Sequence, residues 1–306
     1  VAAPDITTAL PSWRPGPTRE ALLAFLAASR ELPEEQRVAV FDNDGTLWCE
    51  QPQYVQLGFF LHELATAVAR DPALGERPEY AAALSWDAEA LGALGLERVG
   101  LALAELFAGQ TAETFAGRVR QYVGAAEHPT LSRRWRDAVY RPMLELLDAL
   151  SAHGFSNFIV TGGGTEFVRA ISWDLYRVPP ERVIGTHIGY EYVVGQGGPA
   201  LVRTATLSGE VNEGAAKVRL IQQHVGRRPV FAAGNSAGDA EMLVWTSTGT
   251  GPSLSLIVEH DDAEREFAYQ GSEASTGRRF SMRDLAQREG WAVASMRDDW
   301  ATVFPG

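Results

Sequence analysis

The chain has 306 residues and a net charge of −12, which argues against nucleic acid or an anionic membrane surface as a partner. Its one cysteine, Cys49, excludes an intrachain disulfide framework and a cysteine-based zinc site, and no apolar run reaches the roughly 18 residues of a membrane span. The length exceeds the roughly 250–300 residues at which a single core stops growing, so one large domain with a smaller inserted one is expected.

The chain begins with Val, which fits an exported mature protein with its leader removed better than a cytoplasmic one. Residues 1–17 carry four prolines and little periodicity, and read as an extended arm. Thr18 is placed to cap a helix over "REALLAFLAASR", and "RVAVFD" then suits a buried parallel strand. From 54 to 136 the pattern is helical without a strand. "YVQLGFFLHELATAVAR" stops at Asp71-Pro72, and Gly109 and Thr111 mark a later stop and start.

Strand and helix alternate afterwards. "NFIVT", "RVIGT", "RPVFAA" and "LSLIVE" read as strands, and "GYEYVVGQGGPALVRT" as a hairpin. That order predicts an α/β fold: an open parallel Rossmann-like sheet with helices on both faces, built from 18–53 and 137–306, with 54–136 as an all-helical inserted domain. The last 40 residues are polar and mixed, and no element is assigned there.

Four segments place polar groups at the carboxyl ends of predicted strands, where open parallel sheets bind ligands. The first, "VAVFDNDGTLW", sets Asp42 and Asp44 around Asn43, before Gly45 and Thr46. Carboxylates so close repel unless a cation lies between them or one keeps its proton. One acid can then be a nucleophile while the other works as general acid and base. An ordinary Asp-Gly turn is the plainer alternative.

In "NFIVTGGGTEF", Thr161 ends a strand and glycines open the next helix, leaving N–H groups for an anion or simply making a tight turn. The Gly-Lys-Ser/Thr ending of a nucleotide-binding P-loop is missing. The third segment, "VNEGAAKVRLIQQH", carries Lys217, the only lysine in a chain whose other basic residues are arginine. A compact flexible charge is not interchangeable with a planar fork, so Lys217 is either a chemical necessity or a leftover.

The fourth segment, "VFAAGNSAGDAEML", brings Asn235, Ser236 and Asp239. It also raises a rival, because Gly234 to Gly238 match G-x-S-x-G, the nucleophile elbow of serine esterases. The acid and then the histidine should follow, yet Asp261 and Asp262 come only after His260, the last histidine. That reading leaves Asp42, Asp44 and Lys217 unexplained. The histidines show no ligand spacing, so no zinc site is expected.

Taken together, the four segments resemble the haloacid dehalogenase-like phosphatases. Asp42-Asn43-Asp44-Gly45-Thr46 matches the first motif, Thr161 the second, Lys217 the third, and "GNSAGD" the acidic fourth; "TGG" is similar to the phosphoserine phosphatase branch. The helical insertion resembles that family's cap of the first type. The resemblance implies a Mg²⁺-dependent phosphatase acting on a small phosphorylated substrate through an aspartyl-phosphate. In it Asp42 is the nucleophile and Asp44 the acid and base. Thr161, Gly162 and Lys217 hold the phosphoryl oxygens. The metal is held by Asp42, the Asp44 carbonyl and Asn235, with Asp239 behind them.

Alternatives on the same machinery are a phosphomutase or a non-catalytic binder of phosphorylated ligands. A dehalogenase would have no need of Asp44. Asn235 departs from the family's aspartate, which implies one charge fewer and weaker metal binding. At the two cap junctions Glu50 and Tyr54 are candidates to face a substrate amine or sugar. Arg133, Arg134 and Arg136 are candidates for a further carboxylate or phosphate.

Overall fold

The computed structural model describes residues 9–85, 87–94 and 96–306; the first eight residues of the expected arm lie outside them. Helix α1 (Pro17–Ala28) leads into β1 (Val38–Phe41). Helices α2 (Val55–Arg70), α3 (Pro78–Ser85), α4 (Ala88–Leu94), α5 (Leu96–Glu105) and α6 (Ala112–Ala125) form the insert. The chain resumes with α7 (Arg141–Ala152), β2 (Ser156–Gly164), α8 (Thr165–Tyr176) and β3 (Val183–Thr186). A hairpin of β4 (Ile188–Gly195) and β5 (Gly198–Leu207) follows, then α9 (Ala215–Val225), β6 (Phe231–Gly234), α10 (Ala240–Ser247) and β7 (Leu254–Glu259). Helix α11 (Met282–Glu289), β8 (Ala292–Ser295) and α12 (Met296–Asp299) complete it.

The main sheet is parallel, in the order β3-β2-β1-β6-β7-β8. The chain moves outward from β1 on one side and from β6 on the other. The crevice between β1 and β6 is therefore the switch point at which such sheets bind ligands.

Alternate residues of each strand feed two cores. Val38, Val40, Ala232 and Ile257 pack with Ile221, Leu243 and Leu285 of α9–α11. Ala39, Phe41, Phe231 and Leu256 pack with Leu22, Leu146 and Phe167 of α1, α7 and α8. Burial on both faces explains why these strands read as continuous apolar runs.

Three local expectations change. Thr18 does not cap α1, whose N-cap is Gly16; its hydroxyl donates to Val293 O at 2.8 Å and ties the helix to β8. The part of the arm that is described is packed, because Leu10 and Trp13 are buried and the Trp13 indole donates to Pro142 O. The polar C-terminal region supplies the edge strand β8, a four-residue stretch too short to show a period.

The insert packs around Phe59, whose ring lies 5.3–5.7 Å from those of Phe60, Phe107, Phe115, Tyr122 and Phe167. Phe167 belongs to α8, so this cluster also docks the insert on the sheet domain. The hairpin joins the same body: Gly109 N donates to Arg203 O, and Arg203 N to Gln110 O, both at 2.8 Å. Helices and hairpin, separated by β2 and β3 in sequence, thus cover the sheet's carboxyl edge together.

Phe59→Ala is expected to lower stability by about 3–5 kcal/mol, the usual loss for an emptied aromatic core site. Urea unfolding followed by tryptophan fluorescence measures it; a loss below about 1 kcal/mol would show that the cluster does not hold the insert.

Candidate active site

Asp42 directly follows β1, and its N–H donates to Ala233 O of β6 at 2.9 Å, continuing the ladder into the crevice. The chain then turns through Gly45, at φ +72°, where a Cβ would stand 2.0 Å from Asn235 Nδ2. Only glycine relieves both the left-handed backbone and that approach. The turn brings Asp44 back so that Trp48 Nε1 donates to its Oδ1 at 2.8 Å.

Lys217 reaches from α9 into the same crevice, 2 % exposed. Its Nζ donates to Asp42 Oδ1 and Asp239 Oδ1, each at 2.6 Å. Asp239 is held in turn, its Oδ2 accepting from Asn235 N at 3.0 Å and Ser236 N at 2.9 Å. Burial would drain the lysine's proton, but Asp239 and Asp42 outweigh it and hold the ammonium above its ordinary range. Burial pushes Asp42 well up, with repulsion from Asp239 adding to it and Lys217 opposing it. Asp44 is also raised by burial, against the hydrogen bond from Trp48.

Glu50 lies against this group. Its Oε1 accepts from Tyr269 OH at 2.8 Å and Asn235 Nδ2 at 3.0 Å. Burial lifts it to about 7, with His260 opposing. Position 235 thus meets an acidic side chain through its amide.

These groups fit a hard divalent cation. With Nδ2 committed to Glu50, Asn235 has Oδ1 as its acceptor, which receives a bond from Thr46 Oγ1 at 3.3 Å, and with Asp42 and Asp44 it offers oxygens of the kind Mg²⁺ takes. Asp42, Asp44, Asp239 and Glu50 share the crevice with one ammonium, an excess of acid that a cation would balance. Among the described residues no cluster of three or more His, Cys, Asp and Glu forms a ligand set.

The phosphate-binding side differs from expectation in detail. β2 does not stop at Thr161 but continues through Gly164, with a register shift against β3 between Val160 and Gly164. Thr161 Oγ1 accepts from Gly163 N at 3.0 Å, and Gln56 Oε1 from Gly164 N at 2.7 Å. A side chain at Gly162 would meet Glu213 at 3.0 Å, and one at Gly164 would meet Gln56 at 2.9 Å. The glycines therefore let two polar side chains close on the backbone.

A cavity of about 650 Å³ opens above. Asp42, Asp44, Gly162 and Lys217 line its floor; Leu57, Phe60, Leu103, Phe115, Ile188 and Arg203 line the side formed by insert and hairpin. Glu50 and Tyr54 reach it. Arg133, Arg134 and Arg136 do not: Arg133 stacks on Phe304 and donates to Asp137 O, while Arg134 and Arg136 approach Glu127 and Asp137 at 3.9 Å.

The arginine that does line the cavity, Arg203, has as its sequence signal one charged residue in the otherwise uncharged "ALVRTATL". Gln56 and Glu213 had no signal beyond polarity near a motif. The C-terminal Ala274 and Ser275, whose N–H groups donate to Glu213, follow no pattern at all.

The esterase reading meets a geometric obstacle. Ser236 Oγ donates to Asp239 Oδ2 at 3.2 Å. His260 is engaged elsewhere, Nε2 with Gly45 O at 2.8 Å and Nδ1 with Glu266 at 3.1 Å. A nucleophilic serine needs its base on the hydroxyl.

A family model described as haloacid dehalogenase-like hydrolase matches residues 39–244. Among solved structures, a protein of unknown function from Bordetella pertussis Tohama I is 16% identical at TM-score 0.53, over 85% of this chain and 99% of that one. A functionally unknown protein from Anaerococcus prevotii DSM 20548 is 13% identical at TM-score 0.53, over 86% and 96%. A probable phosphoserine phosphatase from Vibrio cholerae is 16% identical over 84% of this chain and 69% of that chain, at TM-score 0.41. At these identities the first two establish a shared fold, and the third carries no argument about substrate. No match is found among curated proteins.

Removing the ammonium should leave Asp42 and Asp239 facing each other uncompensated. Lys217→Met is expected to lose about 3–5 kcal/mol at neutral pH, the usual penalty for breaking a buried pair. Guanidinium denaturation would disprove this if the midpoint stayed at the wild-type value.

Proposed function

The chain belongs to the haloacid dehalogenase-like hydrolases, and we propose that it is a phosphatase hydrolysing a small-molecule phosphate monoester through Asp42. The observation that carries this reading is the floor of the cavity, where the Lys217 ammonium sits 2.6 Å from the Asp42 carboxylate with Asp44 two residues beyond.

The steps follow from the groups. Asp42 Oδ attacks phosphorus in line, and the bond from phosphorus to the ester oxygen breaks. Asp44, whose carboxyl is raised by burial, gives its proton to that oxygen. Having become a carboxylate, it takes a proton from water, which then cleaves the aspartyl-phosphate and frees Asp42. Lys217, Thr161 and Gly162 N–H act on the phosphoryl oxygens, over which charge spreads in the transition state. Asp42, the Asp44 carbonyl and Asn235 would hold Mg²⁺, with Asp239 behind them. When bound, the ion supplies positive charge and orientation to the phosphoryl oxygens.

Leu57, Phe60 and Phe115 line the cavity above the nucleophile, and apolar walls screen charge less than water does. An acid such as Asp44 speeds departure of the leaving group by about 10²–10⁴-fold, which favours hydrolysis over mere binding.

Purified protein is expected to release phosphate from p-nitrophenyl phosphate with Mg²⁺ and to stop with chelator. Asp42→Asn should fall to background, and Lys217→Arg, though folded, should lose about 10²–10³-fold. Wild-type turnover by Asp42→Asn would remove Asp42 from the nucleophile's role.

Asn235→Asp should set a carboxylate against Glu50 and lose the bond from Nδ2. Its melting temperature in chelator should lie below wild type, and Mg²⁺ should raise it by more than it raises wild type. Equal Mg²⁺-induced shifts in the two proteins would contradict the assignment of position 235 to the metal.

A further inference from the structure

Arg203 is 4 % exposed, and its Nε and Nη1 have no hydrogen-bond partner. Its guanidinium lies over the Phe115 ring, the Cζ 3.8 Å from the centroid. That contact satisfies neither open donor.

Its surroundings neutralise it only in part, by Glu166 and a hydrogen bond with Tyr190. Tyr190 and Glu166 attract it, against the burial that weakens its hold on the proton. Tyr190 is pushed up to about 12, first by burial and then by Glu166, so it stays neutral at physiological pH. Glu166 is shared, since Arg169 Nη1 donates to its Oε1 at 3.0 Å. Two arginines therefore attend one carboxylate, and Arg203 is the one left with open donors.

The position of these open donors gives them meaning. Arg203 lines the cavity whose floor holds Asp42 and Lys217, as do the apolar Leu57, Phe60, Leu103 and Ile188 and the acidic Glu166. Resting on the phosphatase reading above, we infer that the natural ester has an apolar body whose far end carries a second anionic oxygen group, a carboxylate or a phosphate, held by Arg203. Either open donor can give a charge-assisted hydrogen bond to such an oxygen. Nε and Nη1 are closed to solvent, so the ligand's oxygens meet them as the side chain shifts toward the cavity it lines. Each contact then fills an unmade bond instead of displacing water. A leaving group without the anion leaves the donors open, which is how a site built for a polar group rejects its apolar analogue.

The test compares three esters of one chain length: hexyl phosphate, 6-phosphonooxyhexanoate and hexane-1,6-diol bisphosphate. Wild type is expected to favour at least one doubly anionic ester over hexyl phosphate by about 10²-fold in kcat/KM. In Arg203→Met that ratio should fall to near one. A ratio taken within one variant is insensitive to partial loss of folded protein. The carboxylate and bisphosphate arms identify which anion is read. A wild-type ratio near one, or an unchanged ratio in Arg203→Met, would overturn the inference.

If wild type hydrolyses none of the three, the phosphatase reading fails by itself. The inference is then judged by calorimetric affinity for the same esters: equal affinities sink it, and a preference lost in Arg203→Met sustains it.

Discussion

One ammonium bridges two carboxylates at the end of the central strand, and the arrangement of the crevice follows from it. Lys217 Nζ is 2.6 Å from both Asp42 and Asp239, with all three buried. Burying such a trio is unfavourable unless each member is held and hydrogen-bonded. That requirement accounts for the capping contacts of Asp239 with Asn235 and Ser236, and for the glycine at 45 that lets Asn235 come close. It also accounts for a lone lysine among arginines: a planar fork cannot place one nitrogen between two carboxylates in so small a space.

Around that centre the acids outnumber the bases. Asp42, Asp44 and Glu50 are all raised by burial, so each ionises less readily than a free carboxyl. Asn235 fits this setting, since its amide donates to Glu50 where a second carboxylate would repel. At the departure from the family's acidic fourth motif, an amide meets the acid Glu50, on the segment that leads into the insert.

The roof comes from two parts of the chain. Phe59 joins the helical insert to α8, and main-chain bonds at Gly109, Gln110 and Arg203 join the hairpin to the insert. An apolar surface thus faces a charged floor, with one under-satisfied guanidinium between. The contrast separates a charged end of the cavity from a largely apolar one.

The sequence by itself determined the strand order's raw material and the four motif segments, because buried parallel strands leave unbroken apolar runs and their ends must carry the polar groups. Asp42, Asp44, Lys217, Asn235 and Asp239 were legible for that reason. It could not show β8, whose four residues are shorter than a period, nor that Thr18 bonds Val293 instead of capping its own helix. The arginines of the cap junction looked suited to an anion, yet they pack on Phe304 or lie beside Glu127 and Asp137. Only the tertiary structure brought Gln56, Glu213 and Arg203 to the cavity, and only it set Glu50 against Asn235. These are contacts between side chains far apart in the chain. Local pattern records which face a residue takes on its own helix or strand, and long-range packing decides what that face meets.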